Sequence, residues 1–365
     1  MGEDIRMCKT EKEIERYRTP YRCPRPVLTG SGRPGSFDSQ GVDCPFVFFH
    51  NGAYHMLYIG FDGTGYQTGL AVSSDLLRWE HKGLVIRRQM DSGRWDRLGG
   101  AGVWLLKESD SIWEMPRLRK LDGKYWMVYH AYPGDGYESG PGEIALAWTE
   151  DEELMDWHLP DRPQFSWRDG EAWERGGLYK SSIVEQDGVF YMFYNAKDQA
   201  EDWTEQIGVA CSRDLIHWVR GAENPVLKVT PGAWDETFNA DPYVVQDGQQ
   251  WLMFYYGLGG AGTDGICHAQ EGLAVSGDLV HWEKAPDPIL AAGRPGSIDC
   301  GHVHKPSVFY ENGVLYHFYC ATRPWQDGDA TSRDGEFRTI CVAASRPVWD
   351  CMEAEVNEEA RGARW

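Results

Sequence analysis

VDCPFVFFHNGAYHMLYIG, residues 42–60, decides the reading of this chain, because four variations on it follow. They are WEMPRLRKLDGKYWMVYHA from Trp113, YKSSIVEQDGVFYMFYNA from Tyr179, NADPYVVQDGQQWLMFYYG from Asn239 and VHKPSVFYENGVLYHFYCA from Val303. Each copy has a polar entry, a short apolar run, a turn with glycine and an aromatic-rich run. The turn glycines Gly52, Gly123, Gly188, Gly248 and Gly313 recur at intervals of 60 to 71 residues. Units repeated at such a period bury their faces against one another, so the repeat sets the fold before any single residue does. The expectation is an all-β chain forming a single five-bladed β-propeller of four-stranded antiparallel blades.

Alternating large side chains around Asn-Gly or Asp-Gly turns predict the first two strands of each blade as a hairpin. The third is TGLAVSSDLLRW, 68–79, matched by IALAWTEDEELMDW, IGVACSRDLIHW and EGLAVSGDLVHW. Their shared ending makes Trp79, Trp157, Trp218 and Trp282 equivalent, and four equivalent tryptophans read as packing between blades rather than as sugar platforms. Asp75, Asp214 and Asp278 suit turns, where Asp bonds nearby backbone N–H groups. Asp38, Asp96, Glu174, Asp235 and Asp299 enter all five copies behind a bulky residue and read as blade architecture.

Working outward, NPVLKVTPGAWD (224–235) and DPILAAGRPGSID (287–299) join successive repeats, their PVL or PIL run being the fourth strand. RPVLTGSGRPGSFD (25–38) matches them but has no repeat before it, and the last repeat has no such run. Val27 and Leu28 are therefore expected to complete the last blade, closing the ring and removing a sheet edge. The expected organisation is a polar leader 1–24 with a helical turn around Glu11 to Tyr17, a propeller 25–350 and an acidic tail 351–365. The blades fall at about 38–90, 91–165, 171–230, 233–290 and 297–350.

Composition excludes several partners. Lys plus Arg number 36 against 56 Asp plus Glu, a net charge of −20, in a chain of 365 residues. Nucleic-acid binding needs clustered cations to replace condensed counterions, and an anionic membrane surface needs the same. At 42% hydrophobic residues the chain can bury a substantial core. There is no run long and apolar enough for a membrane span and no apolar signal core at the start, and the nine cysteines lack CxxC pairs. A cytoplasmic address is expected; oligomeric state is not legible.

Function is sought where the copies disagree. Aligned on Pro45, Pro116, Ser182, Pro242 and Pro306, the preceding one or two residues are Asp43, Glu114, Lys180, Asp241 and His304. First strands line a propeller's channel, so these five side chains are expected at one mouth. Around it stand the loops FDGTGYQT, AYPGDGYESGPG, NAKDQAEDWTEQ, GLGGAGTDGICHAQ and ATRPWQDGDATSRDGE, whose Gly, Asp, Trp and Tyr suit polyols. Three carboxylates beside a cation and an imidazole suit glycoside hydrolysis: one acts as base or nucleophile and one, its pKa raised, protonates the leaving oxygen. Further candidate sugar contacts are His302, Trp113, Trp234, Phe238, Asn239, Arg323 and Trp325. His302 and His304 lack a clear third metal ligand; no cofactor is expected, and a central divalent cation is allowed but not predicted.

The repeats resemble the five-bladed propeller glycoside hydrolases, the broad group around families 43, 32, 117 and 130. The Asp43–Cys44–Pro45 and Asp241–Pro242 openings and Glu114–Met115–Pro116 carry the likeness. It implies, by family 43, Asp43 as base, Asp241 as the residue tuning the acid and Glu114 as acid; family 117 points instead to His304 as acid. The third blade departs from family 43 in offering Lys180. The expected function is removal of a terminal sugar from a short oligosaccharide or glycoside, with inversion. A phosphorylase or transglycosidase, or a non-catalytic sugar-binding propeller, are the alternatives.

Overall fold

The computed structural model describes residues 11–262 and 265–348, so the acidic tail lies outside the described residues. They form five antiparallel units in chain order. Unit I is Gly41–His50, Ala53–Phe61, Tyr66–Ser73 and Glu80–Ile86. Unit II is Ala101–Leu105, Tyr125–Ala131 and Glu143–Thr149. Unit III is Gly177–Gln186, Val189–Lys197, Glu205–Ser212 and Val219–Arg220. Unit IV is Phe238–Asp247, Gln250–Leu258, Ala269–Ser276 and Trp282–Lys284, joined to III by the single parallel pair Glu205 and Phe238. Unit V is His302–Glu311, Val314–Pro324 and Glu336–Ala344. The first strands touch in the order I, II, III, IV, V and back to I, which makes the arrangement a propeller around a channel.

The register shows how the ring closes. Ile86 pairs with Thr68, Phe165 with Ile144, Leu227 with Ile207 and Leu290 with Glu271, each an apolar residue of the unit's last segment on the same position of its third strand. In unit V that partner is Leu28, paired with Ile340. Val27 and Cys23 donate backbone N–H groups to Ile340 and Val342, each at 2.9 Å. Tyr21–Arg22 adds a second pairing, and Glu11–Ile14 with Glu15–Tyr17 forms the expected helical turn. An edge that would otherwise expose Phe337 to Ala344 is thereby covered.

The repeated residues are scaffold. Each tryptophan of the third-strand ending donates its indole N–H to the carbonyl three residues back, at 2.7 to 3.3 Å, where Leu76, Leu154, Leu215 and Leu279 turn the chain with φ of 58° to 67°. Trp79 meets Phe318 and Trp282 meets Phe193 edge-on, each across a boundary between units. In the acidic series Asp96, Glu174, Asp235 and Asp299 each accept from a buried second-strand tyrosine: Tyr129, Tyr194, Tyr255 and Tyr319. Asp38 instead binds Ser31 and Ser36, leaving Tyr58 to His81.

In units I, III and IV the bulky residue before the acid lies over glycines: Phe37 over Gly60 and Gly69, Trp173 over Gly208, and Trp234 over Gly257 and Gly272. A Cβ added at Gly60 would stand 2.4 Å from the Phe37 ring. Gly60→Ala should therefore lower the urea-unfolding free energy by about 1–3 kcal/mol, the usual cost of overpacking; an unchanged midpoint would show that Phe37 shifts freely.

Segment 106–119 is the chief departure from the repeat. Ile112 and Gln246 N–H groups bond across to Gln246 and Asp110 carbonyls, and Phe49 N–H bonds the Pro116 carbonyl. The segment thus ties the far ends of the first strands of units IV and I, which are not neighbours, and spans the channel end opposite the mouth. Among the described residues no helix is long and apolar enough to cross a membrane.

Candidate active site

In each unit the first strand breaks step with the second near its start. The unpaired residues lie after Asp43, after Tyr179, after Ala240 and after His304, with a matching break in unit II between Gly102 and Trp104. Such bulges re-aim side chains. Register then gives two adjacent rings of positions: Asp43, Ala101, Tyr179, Ala240 and His304, followed by Cys44, Gly102, Lys180, Asp241 and Lys305. The expected ring of Asp43, Glu114, Lys180, Asp241 and His304 had mixed the two. Cys44, Asp241 and Lys305 take left-handed φ of 48°, 54° and 63°, a strained arrangement of the kind found at working sites.

Glu114 does not belong to either ring, and this corrects its expected role as the acid. The first strand of unit II is Ala101–Leu105, not the run beginning at Pro116. Glu114 is exposed on the segment spanning the far end. Its neighbour Trp113 stacks on Tyr17 and donates to Asp247 at the far-end hairpin, so it is no sugar contact. Trp234 is scaffold too, stacked on Tyr255 with its N–H on the Pro286 carbonyl. Arg323 is committed to Asp329, while Trp325 sits half-exposed on the unit V loop; both are outside the central pocket. His302 and Arg323 line a separate groove between units IV and V, running past Gly293 to Gly335. Phe238 stacks on Trp203 at the rim, and Asn239 is buried, its amide on the Asp235 carbonyl.

The central pocket is narrow and is lined by Cys44, Tyr66, His130, Tyr132, Glu138, Tyr179, Lys180, Asn195, Glu205, Asp241, Tyr256 and Lys305. Several of these were not singled out from sequence. The residue after the repeated second-strand tyrosine varies as Ile59, His130, Asn195, Tyr256 and Cys320. The third-strand entry varies as Tyr66, Glu205 and Arg338 in units I, III and V. Glu138 comes from the AYPGDGYESGPG loop, which leans over unit I through the Gly136 N–H on the Thr64 carbonyl at 2.8 Å. Disagreement between copies was therefore a valid signal, but it had to be read along all three inner strands.

Asp43 is almost fully buried and held by two cations. Its Oδ2 accepts from Lys305 Nζ at 3.1 Å and Arg338 at 2.9 Å, and its Oδ1 from the Cys44 N–H at 2.9 Å. Burial alone would raise its pKa; Lys305 and then Arg338 override that and hold it well below the usual carboxylate range. The same Arg338 nitrogen lies 2.9 Å from His304 Nε2 and 3.6 Å from Cys320 Sγ. Potential metal-ligand atoms of Asp43, His304 and Cys320 lie within 4.8 Å of one another, but the guanidinium already supplies the cation among them. Arg338 can only donate and the Cys320 carbonyl can only accept, so His304 carries its hydrogen on Nδ1 and is neutral. Burial first and Arg338 second push its pKa well down. With both nitrogens committed, His304 is not placed to protonate a leaving group.

Two other carboxylates are driven apart. Glu205 is 8% exposed and accepts from Asn195 at 2.8 Å and from the Trp203 indole at 3.1 Å. Burial, opposed by Asn195 and reinforced by Glu138, pushes its pKa up to about 7. Glu138 accepts from Tyr66 at 3.0 Å and lies 3.7 Å from Lys305. Burial would raise its pKa, but Lys305, the Tyr66 hydroxyl and Arg338 together override burial and Asp43 and lower it. Asp241 is raised by burial against the pull of Lys305 and Lys180. Glu205 and Glu138 thus line one pocket with pKa values pushed in opposite directions, the pattern by which paired carboxylates can take separate roles.

Glu205 also sets a pH effect on stability. It ionises near 4.5 when unfolded and near 7 when folded, so its penalty is absent at pH 4, grows as pH rises and is complete above pH 7. Glu205→Gln should stabilise the protein by about 3 kcal/mol at pH 8, from 1.36 kcal/mol per pKa unit, and leave it unchanged at pH 4. Equal urea midpoints for the two proteins at pH 8 would contradict this.

Known proteins share this architecture. Residues 114–266 match the family model for the glycosyl hydrolases family 32 N-terminal domain. Two solved structures, one described as a BT0996 RGII complex and one as a glycoside hydrolase, share 29% and 27% identity, each with a TM-score of 0.74 over 93% of this protein and 95% and 97% of theirs. The chain has the propeller fold of these glycoside hydrolases. A 1,2-beta-oligomannan phosphorylase from Thermoanaerobacter sp. (strain X514) is 27% identical to this propeller over 138 residues, 34% of this chain and 43% of that protein.

Proposed function

We propose that the protein is an exo-acting glycoside hydrolase that removes one terminal sugar from a short oligosaccharide or glycoside. The observation that carries this is a pocket holding Glu205 raised and Glu138 lowered, at the mouth of a channel whose far end is spanned by segment 106–119. A pocket entered from one side takes a chain end rather than a chain middle. Glu205 protonates the leaving oxygen, and Glu138 acts on the anomeric centre, through a water if the course is inverting. Asp43 holds Lys305 and Arg338 in place rather than acting as the base. Inversion remains the expected course, and proton NMR of the first-formed anomer reads it. The phosphorylase alternative needs cations free for phosphate; Lys305 and Arg338 are engaged by Asp43, and Lys180 is the pocket cation without an ion pair among the described residues, so phosphate dependence is read directly in the test below. A reducing compartment, the cytoplasm, suits the seven unpaired thiols found among the described residues.

The test is a panel of aryl glycosides and oligosaccharides, with and without inorganic phosphate. Release of a free monosaccharide at the same rate in both conditions is expected. Release of a sugar phosphate only when phosphate is present would overturn hydrolysis, and saturable binding with no cleavage of any substrate would leave a sugar-binding propeller.

The pH–rate profile follows from the two carboxylates. Glu138 must be ionised and Glu205 protonated, so kcat/KM should be bell-shaped, its alkaline limb falling near pH 7. A profile flat from pH 6 to 9 would contradict the assignment of Glu205.

A further inference from the structure

Four polar atoms facing the central pocket have no hydrogen-bond partner among the described residues: His130 Nδ1, Lys180 Nζ, Asn195 Oδ1 and Asp241 Oδ2. Their residues are only 3–4% exposed. Lys180 is the costliest of them. A buried ammonium without a partner destabilises the protein that carries it, and such groups are normally paired. The nearby carboxylate of Asp241 does not serve, since no Lys180 ion pair exists within 4 Å among the described residues, although the two are close enough to act on each other's charge. Asn195 is oriented by Glu205, which takes its amide N–H and leaves the carbonyl side open.

The chemistry of this pair is specific. An ammonium can only donate and a carboxylate can only accept, so a group between them must do both. A sugar hydroxyl does; an ether oxygen, a fluorine or a ring hydrogen does not. Resting on the exo-hydrolase reading above, we propose that Lys180 and Asp241 hold one hydroxyl of the terminal sugar between them and make that hydroxyl a requirement for binding. The Lys180 ammonium donates to its oxygen and the Asp241 carboxylate takes its hydrogen. His130 and Asn195 face the same sugar and serve a neighbouring hydroxyl. Lys180 and Asp241 are positioning residues. Their strand bulges, and the left-handed turn at Asp241, aim both into the pocket.

The experiment is calorimetric titration of the full chain with a panel of free pentoses and hexoses. The best-binding sugar is then compared with its monodeoxy and mono-O-methyl derivatives, on wild type, Lys180→Met and Asp241→Asn. Asn is chosen at 241 because it tolerates the left-handed backbone. In wild type, altering one ring position should weaken binding by about 30- to 100-fold or more, since unpaired buried site groups reject an analogue lacking the hydroxyl. In both variants that difference should shrink to about threefold or less, as the group left unpaired is gone. The melting temperature of Lys180→Met should stay the same or rise, which a lysine retained for structure would not allow. The clamp is overturned if no panel sugar binds wild type, if the variants keep the full penalty for the altered position, or if Lys180→Met melts lower while binding sugars as wild type does. If the clamp behaves as described while Glu205→Gln cleaves normally, the binding assignment stands and the catalytic one falls.

Discussion

Glu205→Gln should lower kcat by about 10²–10⁴-fold on a natural oligosaccharide, the usual contribution of a positioned general acid. The loss follows from what Gln keeps and what it lacks. It fills the same volume, its carbonyl oxygen can still accept from the Trp203 indole, and its NH2 can donate to Asn195 once that amide turns over, so the pocket stays formed. It has no proton to give to the departing oxygen. Binding of the released sugar should therefore change little, which separates a chemical defect from a folding one. Glu138→Gln should be as damaging for the opposite reason, since it removes the charge that acts at the anomeric centre. It also frees Lys305 from one of its carboxylate neighbours, so its loss should not be rescued by raising the pH. Asp43→Asn is the informative contrast. It leaves Lys305 and Arg338 with one acceptor of lower charge, and should weaken binding and stability as well as turnover.

Starting the chain at Gly30 should be nearly as severe for stability. The truncation removes Leu28 and Thr29 from Ile340 and Thr339, the Tyr21–Arg22 pairing, and the ion pair of Arg22 with buried Asp299. It uncovers a strand whose residues Ile340 to Ala344 are fully buried in the intact protein. Loss of a buried charge partner alone costs about 3–5 kcal/mol. At roughly 2–4 °C per kcal/mol, a melting temperature lower by about 10 °C or more is expected, with aggregation through the opened edge. A truncated protein melting within a degree or two of the full chain would show that the ring does not depend on these strands.

Much of this architecture was legible because a propeller states its scaffold several times. The tryptophans, the acid series and the PVL runs recur as residues, and each proved to make the same contact wherever it occurs. Asp38 is the partial exception, since His81 takes the tyrosine that the other acids hold. The site was legible only in part. Proline was a poor ruler: each of units I, III, IV and V carries one extra residue at the bulge, but unit III has no proline there, and counting one or two residues back mixed adjacent ring positions. In unit II, Pro116 marks a non-repeating segment, and reading it as a first strand brought Glu114 into the ring. Glu138 could not be found by alignment at all, since it stands on a loop whose path depends on Gly136 reaching Thr64. The partners that decide protonation, such as Arg338 on Asp43, can lie nearly 300 residues apart in sequence and meet only because the ring closes.

The most direct measurement of the central claim is the leaving-group dependence of Glu205→Ala on a series of aryl glycosides of the preferred sugar. If Glu205 is the general acid, the variant should approach wild-type rates with acidic phenols, which depart without a proton, and fall progressively further behind as the phenol pKa rises. A loss of the same size across the whole series, or none, would contradict the account.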